Sequence, residues 1–452
     1  MTIDYGKVPR ALRSLCQTLQ HAGHRAFVVG GSVRDLLLGR AVSDWDVTTS
    51  ARPEQVQRLF RKTIPTGIQH GTVTVLLDHE AIEVTTFRGE GAYSDGRRPD
   101  SVEFVSELER DLERRDFTVN AIAIDPAREA IEDPLGGRRD LARRLIRAVG
   151  DPRARFDEDG LRPLRAVRFA AVLGFEIEPS TLAAIPATRE RFRVVSAERV
   201  RVELLKLLGA ERPSRGLELL RRSQLLDEML PELLPTIGLT QNRYHIDDVW
   251  QHTLKVLDGV PDRGVLRLAA LLHDVAKPVT AKPREDNPAE NRFLRHERIG
   301  AEMCDVIARR LTLSNRQREQ LCHLVRHHLF ALESEPSPSK AALRRFVRRV
   351  GVEHLDDLFE LRRADVATHA DGEARVEQLA AFRASVDAIL VEPPLQSVKD
   401  LAIDGNALKA YFGRPPGRWL GDMLKTMLER VTEEPSLNTP EELLALAKEL
   451  ER

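Results

Sequence analysis

The sequence predicts an α+β protein, with a mixed sheet in the first 145 residues and helices from there to the end. β-branched residues alternate with others only in the N-terminal part, as in "GTVTVLLDHEAIEVTTFR". From about residue 150 onward, leucine and alanine recur at helical spacing and strand signals nearly vanish. With 452 residues the chain is also longer than one ordinary domain, so we expect two to four domains.

The elements of the sheet region follow from local signals, taken in chain order. "AFVVGG" is typical of a short buried strand, and "SVRDLLLG" predicts a helix that Gly39 closes. "GTVTVLLDHEAIEVTTFR" predicts two strands joined at Asp78 and His79, and "DLERRDFTVNAIAID" predicts a helix that runs into a strand. Farther on, glycine and proline separate the helices, and "KPREDNPAENR" is the most polar loop.

Composition excludes several classes of protein. Hydrophobic residues make up 42% of the chain and charged residues 31%, which is typical of a soluble globular protein. We expect no membrane span, because no apolar run of about eighteen residues occurs, and no secretory signal, because the N-terminus lacks an apolar core. The three cysteines lie far apart, which favours a reducing cytoplasm over a disulfide framework.

Arginines are concentrated between residues 138 and 222, although the net charge of the chain is only −1. Acidic residues are interspersed with them, so a solvated helical surface with salt bridges explains the pattern on composition alone. A polyanionic partner such as RNA needs a second argument.

The first pattern that carries chemistry joins a small-residue turn to close carboxylates. The turn "GGS" at residues 30–32 leads from a strand into a helix, where backbone N–H groups can approach an anion. Asp44 and Asp46 share a face if they lie in a strand, and Glu83 is the best third carboxylate on a neighbouring strand. Each feature alone is more often structural. Together they suit nucleotidyl transfer, in which two Mg²⁺ ions hold a triphosphate and activate a hydroxyl.

Longer motifs resemble one enzyme family. "GGSVRDLLLG", "SDWDVTTSARPEQV", "FRGEGAYSDGRRPDSVEF" and "DLERRDFTVNAIAID" resemble the head of class II tRNA nucleotidyltransferases and bacterial poly(A) polymerases. That family belongs to the DNA polymerase beta-type nucleotidyltransferase superfamily. The resemblance continues through "DPLGGRRDLARRLIRAVGDPRARFDEDGLRPLRAVRFAAVLGF" and covers at least residues 25 to 180.

The resemblance implies roles for individual residues. Asp44 and Asp46 are expected to be catalytic Mg²⁺ ligands, with Glu83 beside them. The implied nucleotide-binding residues are Gly30, Gly31, Ser32, Arg34, Arg115, Asp116, Asn120, Asp159, Arg162, Arg165 and Arg168.

The motif "FDEDGLRPLRAVRF" is expected to choose the base. On a helix Asp159 and Arg162 are three apart and share a face, which in most proteins would mark only a surface ion pair. Cytosine and adenine both carry an amino donor beside an unprotonated ring nitrogen, so an accepting aspartate and a donating arginine select C and A together. Pro163 is tolerated only in a first helical turn, so the helix should begin close to Asp159.

The segment from Arg88 to Phe104 bears on which nucleotides are added. It resembles the flexible loop of CCA-adding enzymes, including Tyr93-Ser-Asp and Arg97-Arg98-Pro. This resemblance favours full CCA synthesis over A-only, CC-only or poly(A) addition.

A second pattern collects histidines and aspartates in the helical region. A single histidine there is more often packed or solvent-facing than a ligand, but imidazole and carboxylate clusters suit divalent transition metals. The order of these residues resembles the HD phosphohydrolase superfamily, whose helical domain holds one or two metals and hydrolyses phosphoesters such as 2′,3′-cyclic phosphates. The implied ligands are His252, His273, Asp274, His296, His327, His328 and Asp365, with the choice between His327 and His328 open.

The sequence therefore predicts template-independent CCA addition to tRNA 3′ ends. The expected partners are CTP, ATP and the acceptor arm of tRNA, with Mg²⁺ in the head, a divalent transition metal in the HD domain, and no signal for an oligomeric state. The alternatives are a poly(A) or partial adding enzyme, or an HD phosphohydrolase whose head only binds RNA. The predicted domains are a head at 1–145, a neck and body at 146–235, an HD domain at 236–385 and a helical tail at 386–452.

Overall fold

The structure is a computed structural model that describes residues 2–42, 44–89, 103–330, 338–391 and 397–451. It divides into two compact units. Unit 1 comprises residues 1–234 and 307–313, and unit 2 comprises residues 235–306 and 314–452. The mixed sheet lies in unit 1 and helices dominate the rest, so the predicted α+β class is confirmed.

Unit 1 contains a seven-stranded mixed sheet. Its strands are β1 (Ala26–Val29), β2 (Asp46–Thr49), β3 (Thr63–Gly67), β4 (Thr72–Leu77), β5 (Glu80–Thr86), β6 (Ala123–Asp125) and β7 (Ala130–Glu132). They are ordered β3-β4-β5-β2-β1-β6-β7. β2 and β5 pair in parallel, because the chain crosses over through β3 and β4 between them, whereas the other neighbours pair antiparallel.

Local chemistry explains the strands that the sequence predicts and those that it misses. Asp78 and His79 have φ angles of 48° and 68°, the left-handed backbone of a tight hairpin, so the predicted turn between β4 and β5 is confirmed. The sequence misses β3 and β7, which lie at the two edges of the sheet and bury little. Edge strands of this kind lack the apolar alternation that reveals a strand.

The helices of unit 1 follow and flank these strands. They are α1 (Arg10–His21), α2 (Gly31–Leu37), α3 (Pro53–Leu59), α4 (Leu108–Glu113), α5 (Gly137–Ala142), α6 (Pro152–Glu158), α7 (Arg162–Leu173), α8 (Pro179–Ala187), α9 (Arg189–Arg193), α10 (Ala197–Leu208), α11 (Pro213–Arg222) and α12 (Leu225–Met229). A short parallel pair, β8 (Leu145–Ile146) and β9 (Glu176–Ile177), lies among them. α7 packs against α10 and α11 and buries most of its surface, including Arg162 and Arg168, which makes it the central helix of unit 1.

In its described residues, unit 2 is helical apart from one hairpin. Its helices are α13 (Val249–Gly259), α14 (Val265–Leu272), α15 (Lys277–Thr280), α16 (His296–Arg310), α17 (Asn315–His327), α18 (Lys340–Val350), α19 (Leu355–Val366), α20 (Gly372–Val391), α21 (Gly405–Phe412), α22 (Arg418–Glu433) and α23 (Pro440–Leu450), with the end of α16 assigned to unit 1. Strands β10 (Ala281–Pro283) and β11 (Asn291–Phe293) pair where the sequence predicts a polar loop, so only residues 284–290 between them form that loop.

Two findings within the described part of the chain concern membrane-spanning helices and the cysteines. No helix there combines the length and apolar character that a membrane span requires. Cys16, Cys304 and Cys322 form no disulfide bond, and Cys16 and Cys304 are buried.

Candidate functional site

The predicted carboxylates lie at the start of β2 and on the strand beside it. Asp46 is the first residue of β2 and Asp44 precedes the strand, so the two do not both lie within a strand. The parallel register of β2 and β5 puts Glu83 directly opposite Asp46. Paired residues on adjacent strands project from one face, so Glu83 lies where a third carboxylate was expected.

All three carboxylates line one open cleft of about 1020 Å³ in unit 1. Lys7 and Arg40 line the same cleft and add positive charge to it. The pKa of Asp46 is raised, first by loss of hydration and also by the charge of Asp44, while Arg115 opposes the shift. Carboxylates that repel each other until a cation joins them are the oxygen donors that Mg²⁺ prefers, so this donor set fits the predicted metal.

Gly30 brings the backbone close to the carboxylates. Its φ of 82° is a conformation that glycine adopts freely. A Cβ atom at this position would lie 3.3 Å from Arg115 Nη1 and 3.5 Å from Asp46 Oδ2. The Ser32 hydroxyl is buried and donates to the Val29 carbonyl at 2.9 Å. The turn therefore adjoins the cleft, as a phosphate site requires, and the Ser32 proton already serves to close the turn.

Arg115 is held by Asp111, a residue that the sequence patterns did not single out. The buried Asp111 carboxylate accepts hydrogen bonds from Arg114 Nη2 at 2.6 Å and from Arg115 Nη2 at 3.3 Å. It also accepts from Thr48 Oγ1 of β2 at 3.2 Å and from the Arg88 N–H at 3.3 Å. Burial alone would raise the pKa of Asp111, but the two arginines outweigh it and lower this pKa. One charged carboxylate thus fixes Arg115 relative to the strand that carries Asp46.

A buried polar network joins four more of the predicted nucleotide-binding residues. Arg34 Nη1 donates to Asn120 Oδ1 at 2.7 Å, and Asn120 Nδ2 donates to Asp116 Oδ1 at 3.0 Å. Arg165 Nε then donates to Asp116 Oδ2 at 2.8 Å. Burial alone would raise the pKa of Asp116, but Arg165 and Asn120 outweigh it and hold this pKa at about 2. The network therefore depends on a charged Asp116.

Glu203 of α10 extends this network and was also missed at the sequence level. It is buried, and its Oε2 accepts from Arg168 Nε at 2.8 Å while Oε1 lies 3.5 Å from Arg165 Nη1. The Arg168 guanidinium also lies over the Phe169 ring, 3.4 Å from the centroid. Asp116 therefore holds Arg165, and Glu203 contacts both Arg165 and Arg168.

Asp159 and Arg162 do not share a helix face, which corrects the predicted pair. Asp159 follows the end of α6 with an extended backbone (φ −139°), and α7 begins at Arg162. Asp159 Oδ2 accepts from Arg199 Nη2 at 2.7 Å, and Arg162 donates to Glu158. Pro163 is the reason, because its ring allows only the first turn of α7 and keeps Asp159 outside that helix. The two residues of the motif are therefore positioned by different partners.

Many arginines between residues 138 and 222 have carboxylate partners. The ion pairs include Arg147–Asp140, Arg155–Glu158, Arg189–Glu228, Arg193–Glu190, Arg215–Glu176 and Arg221–Glu218. A salt-bridged helical surface thus accounts for a good part of this cluster.

In unit 2, the predicted ligands His252, His273 and Asp274 bring their donor atoms together. Nε2 of His252 lies 3.2 Å from Nε2 of His273 and 3.4 Å from Asp274 Oδ2. His273 Nδ1 donates to the Ala270 carbonyl, and His252 Nδ1 donates to Thr368 Oγ1, whose own proton goes to a backbone carbonyl. With both rings neutral, as metal ligands must be, the two Nε2 atoms carry lone pairs that face each other. Two nitrogen ligands of one tetrahedral zinc ion, bound at about 2.0–2.1 Å, lie at a similar separation of roughly 3.3 Å.

Asp274 meets a second histidine pair with its other oxygen. Asp274 Oδ1 lies 3.3 Å from His296 Nε2 and 3.9 Å from His328 Nε2. Nδ1 of each ring donates to a backbone carbonyl at 2.7 Å, that of Phe293 for His296 and that of Val325 for His328, which leaves both Nε2 atoms available as metal ligands. Burial lowers the pKa of His328 to about 3 and keeps the imidazole neutral. Asp274 thus belongs to both groups of donors that could hold a metal.

Asp365 completes the first group of donors. Its Oδ1 lies 3.3 Å from His252 Nε2, and its Oδ2 accepts from Arg362 Nη1 at 2.6 Å. Lys277 Nζ lies 2.6 Å from Asp274 Oδ2. A cavity of about 200 Å³ adjoins both groups. The imidazole and carboxylate donors fit divalent transition metals.

His327 lies outside both donor groups, which corrects its place among the expected ligands. It is the last residue of α17, and its ring contacts His323 with the centroids 4.5 Å apart. Adjacent residues on a helix point about 100° apart, so only one of two neighbouring histidines can face the metal group. That residue is His328.

Comparisons with known proteins follow the same division of the chain. The family profile described as "Poly A polymerase head domain" matches residues 26–147, and "Probable RNA and SrmB- binding site of polymerase A" matches residues 174–236. The profile described as "HD domain" matches residues 243–371. A CCA-adding enzyme of Geobacillus sp. (strain WCH70) is 36% identical over 416 residues, which cover 92% of this chain and 90% of that protein.

The chain belongs to the CCA-adding enzyme family. A further member, from Lactobacillus helveticus (strain DPC 4571), is 36% identical over 435 residues, covering 96% of this chain and 95% of that protein. The crystal structure of Bacillus stearothermophilus CCA-adding enzyme in complex with CTP is 31% identical, with a TM-score of 0.72, and covers 98% of this chain and 97% of that one. The resemblance in the motifs is therefore confirmed, and the chain is a tRNA nucleotidyltransferase.

Only the two ends of the segment from Arg88 to Phe104 lie within the described residues. Arg88 and Phe104 pair in an antiparallel bridge. Tyr93, Arg97 and Arg98 lie outside the described residues, so the link between this segment and CCA synthesis stays a prediction.

Asp111 and Glu203, which the sequence patterns did not single out, both lie in sequence contexts that could have identified them. Asp111 precedes Arg115 by four residues, which is the spacing of neighbours on one helix face. Glu203 is the acidic residue among leucine and valine in "RVELLKLL". An acid on the apolar face of a helix needs a buried partner.

Proposed function

We propose that the chain adds C, C and A to the 3′ end of tRNA from CTP and ATP without a nucleic-acid template. The observation that carries the proposal is the register of β2 and β5, which puts Glu83 opposite Asp46 in the cleft shared with Asp44. The family to which the chain belongs supports the choice of substrates. In this proposal the tRNA acceptor arm contacts the arginine-rich surface of residues 138–222, by shape rather than by sequence. We place the reaction in the cytoplasm.

The cleft residues divide the work of nucleotidyl transfer. Asp44 and Asp46 hold Mg²⁺, with Glu83 beside them, and the bound metal supplies charge neutralisation and an activated 3′ hydroxyl. Gly30, whose missing side chain lets the triphosphate approach, adjoins Arg115, which faces the phosphates. Gly31 and Ser32 contribute the backbone of the turn, and the network of Arg34, Asn120, Asp116, Arg165 and Arg168 orients the nucleotide.

Base choice falls to Asp159 and Arg162 in the same proposal. The aspartate accepts from the amino group of C or A, and the arginine donates to the neighbouring ring nitrogen. Because Arg199 holds Asp159 and Glu158 holds Arg162, each side chain is fixed before the nucleotide arrives. Prepositioned donors and acceptors discriminate well, because the wrong base leaves them unpaired.

Substitution of Asp46 by alanine tests the assignment of the reaction to this cleft. We expect Asp46→Ala to reduce incorporation of CTP and ATP into tRNA lacking its 3′ end by about 10³-fold or more, because the metal loses a central ligand. The measurement is primer extension on a denaturing gel. Asp274→Ala is the matched control in unit 2 and should keep wild-type extension. Normal extension by Asp46→Ala would exclude this cleft.

A second activity is proposed for unit 2, metal-dependent hydrolysis of phosphoesters such as 2′,3′-cyclic phosphates. The specific observation is the pair of donor groups that meet at Asp274. His252, His273 and Asp365 hold one divalent metal with Asp274, and His296 and His328 hold another. Asp274→Ala should abolish hydrolysis of a 2′,3′-cyclic nucleotide while Asp46→Ala keeps it.

We also propose that the chain divides into a head at 1–145, a neck and body at 146–235, an HD domain at 236–385 and a helical tail at 386–452.

A further inference from the structure

A second histidine cluster lies in unit 2, apart from the donors that surround Asp274. His323 and His327 are four residues apart on α17 and therefore share a helix face, with ring centroids 4.5 Å apart. His354 approaches from the 3-10 turn Val352–His354, and its ring centroid lies 4.4 Å from that of His323. His323 is thus flanked by an imidazole on either side.

The fold between α18 and α19 brings His354 to this position. Gly351 ends α18 with a φ of 83°, which reverses the chain into the 3-10 turn. The His354 N–H donates to the Gly351 carbonyl at 3.2 Å and closes that turn. The cluster therefore joins one face of α17 to the segment that links α18 and α19.

Hydrogen bonding prepares the ring of His323 as a ligand. His323 donates a hydrogen bond to the backbone of Val350. Its Nε2 is buried and has no hydrogen-bond partner among the described residues, so the donating atom is Nδ1 and Nε2 carries the lone pair. His273, His296 and His328 beside Asp274 are oriented by the same kind of bond. Burial lowers the pKa of His323, which keeps its imidazole neutral.

His354 has the complementary arrangement. Its Nδ1 is buried without a partner among the residues that the structure describes. Glu353 Oε1 lies 3.8 Å from His354 Nε2, which favours the proton on Nε2 and the lone pair on Nδ1. The cluster remains accessible, since the His354 side chain is 24% exposed.

We propose that His323, His327 and His354 form a separate site for a divalent transition-metal ion. Three imidazoles suit Zn²⁺, Ni²⁺ or Cu²⁺. The three rings lie side by side without their nitrogen atoms gathered at one point, so binding an ion requires the His327 and His354 rings to rotate toward Nε2 of His323. Arg326 and Arg349 lie near His327 and oppose a cation, whereas Glu353 favours one, so we expect weaker binding than at Asp274. A bound ion links α17 to the turn before α19. This link involves none of the residues proposed to add nucleotides.

Zinc titration of the full chain tests this site. Asp274→Ala serves as the background, because it removes the carboxylate common to both donor groups of the HD site. In that background we expect Zn²⁺ to bind at the cluster, and addition of His323→Ala to remove one equivalent, measured by equilibrium dialysis. His21→Ala, which removes an exposed histidine of α1, is the matched control and should leave the stoichiometry unchanged.

His354→Gln in the otherwise unaltered chain provides a second measurement that needs no HD-site change. We expect it to bind one Zn²⁺ fewer than the unaltered chain while CTP and ATP incorporation stays the same, which shows that the protein is folded. The proposal is overturned if His323→Ala binds as many zinc ions per chain as the Asp274→Ala background does. It is also overturned if the Asp274→Ala background binds no zinc. Loss of inorganic phosphate binding in His323→Ala, without zinc binding, would instead assign the cluster to an anion held by Arg326 and Arg349.

Discussion

Arg162 is the residue on which the proposed base choice depends most. It is buried at the start of α7 and donates to Glu158 and to the carbonyls of Arg155 and Arg114. These bonds engage Nη1 twice and Nη2 once, so Nε and one Nη2 hydrogen lie outside them. A guanidinium fixed in this way can present donors to a base at little further cost in side-chain entropy.

We expect Arg162→Ala to incorporate UTP and GTP far better relative to CTP and ATP, because the base loses its donor. The ratio of kcat/KM values should fall by roughly 10²-fold or more. Single-nucleotide incorporation with each of the four triphosphates measures this ratio. Arg155→Ala is the matched control, since Arg155 Nη1 also bonds Glu158, at 2.8 Å. Intact selectivity in Arg162→Ala would contradict the assignment.

Residue-scale prediction from the sequence succeeded where chemistry alone names the partner. Asp46 and Glu83 were expected to meet because a divalent metal needs several oxygen donors, and the strand register brings them together. The partners of Asp159 and Arg162 were not predictable in this way. Any of several nearby charges satisfies an arginine or an aspartate, and the break between α6 and α7 decides which one is in reach.

At the scale of elements, the turn between β1 and α2 positions the cleft. Gly30→Ala adds a Cβ 3.3 Å from Arg115 Nη1 at a φ of 82°. We expect a loss of about 1–3 kcal/mol in the free energy of unfolding from the backbone strain. Nucleotide addition should also fall sharply, because Arg115 must move.

Gly23→Ala separates these two effects. Gly23 has a φ of 86°, but nothing lies within 4 Å of a Cβ placed there. We expect a similar loss of stability by urea unfolding and unchanged primer extension. Equal loss of activity in both variants would show that strain alone, and not contact with Arg115, is responsible.

The start of α8 provides a pH-dependent prediction. Glu178 caps this helix, because its carboxylate accepts from the Thr181 N–H at 2.8 Å. Burial alone would raise the pKa of Glu178, but hydrogen bonds from Ser180 and Thr181 outweigh it and hold this pKa at about 2. A pKa below the unfolded-state value means that the carboxylate stabilises the fold above about pH 4.5 and loses this effect as the pH falls toward 2.

Glu178→Gln should therefore lower the free energy of unfolding by about 1 kcal/mol at pH 7, and by less at pH 3. Urea unfolding at the two pH values measures the difference. Glu190→Gln is the control, since the Glu190 side chain is 83% exposed, and it should change little at either pH. An equal loss at both pH values would contradict the role assigned to the ionised cap.

Element-scale predictions held where a repeating pattern was long enough. The pair β4 and β5 and the closure of α2 by Gly39 were read correctly from alternation and a single glycine. The strands at the sheet edges were missed, and the hairpin of β10 and β11 was read as loop. Edge and hairpin strands bury little, so tertiary hydrogen bonding, not hydrophobic pattern, decides whether they form.

At the scale of the whole molecule, the chain carries two sets of candidate metal-binding donors with different chemistry. The donors in unit 1 are carboxylates, which suit Mg²⁺, and those in unit 2 are mainly imidazoles, which suit transition metals. This difference predicts that each activity follows its own metal. The family and the α+β class were predictable because the motifs span much of the chain. The choice between His327 and His328 as a ligand was not predictable, because it depends on how packing orients α17 about its own axis.

The most direct test of the central claim is to sequence the products of tRNA extension. The substrate is tRNA that ends at the discriminator base, supplied with all four nucleoside triphosphates and Mg²⁺. We predict that the products gain three nucleotides, in the order C, C and A, and then stop. Homopolymeric A tails, addition of U or G, or no extension at all would contradict the account.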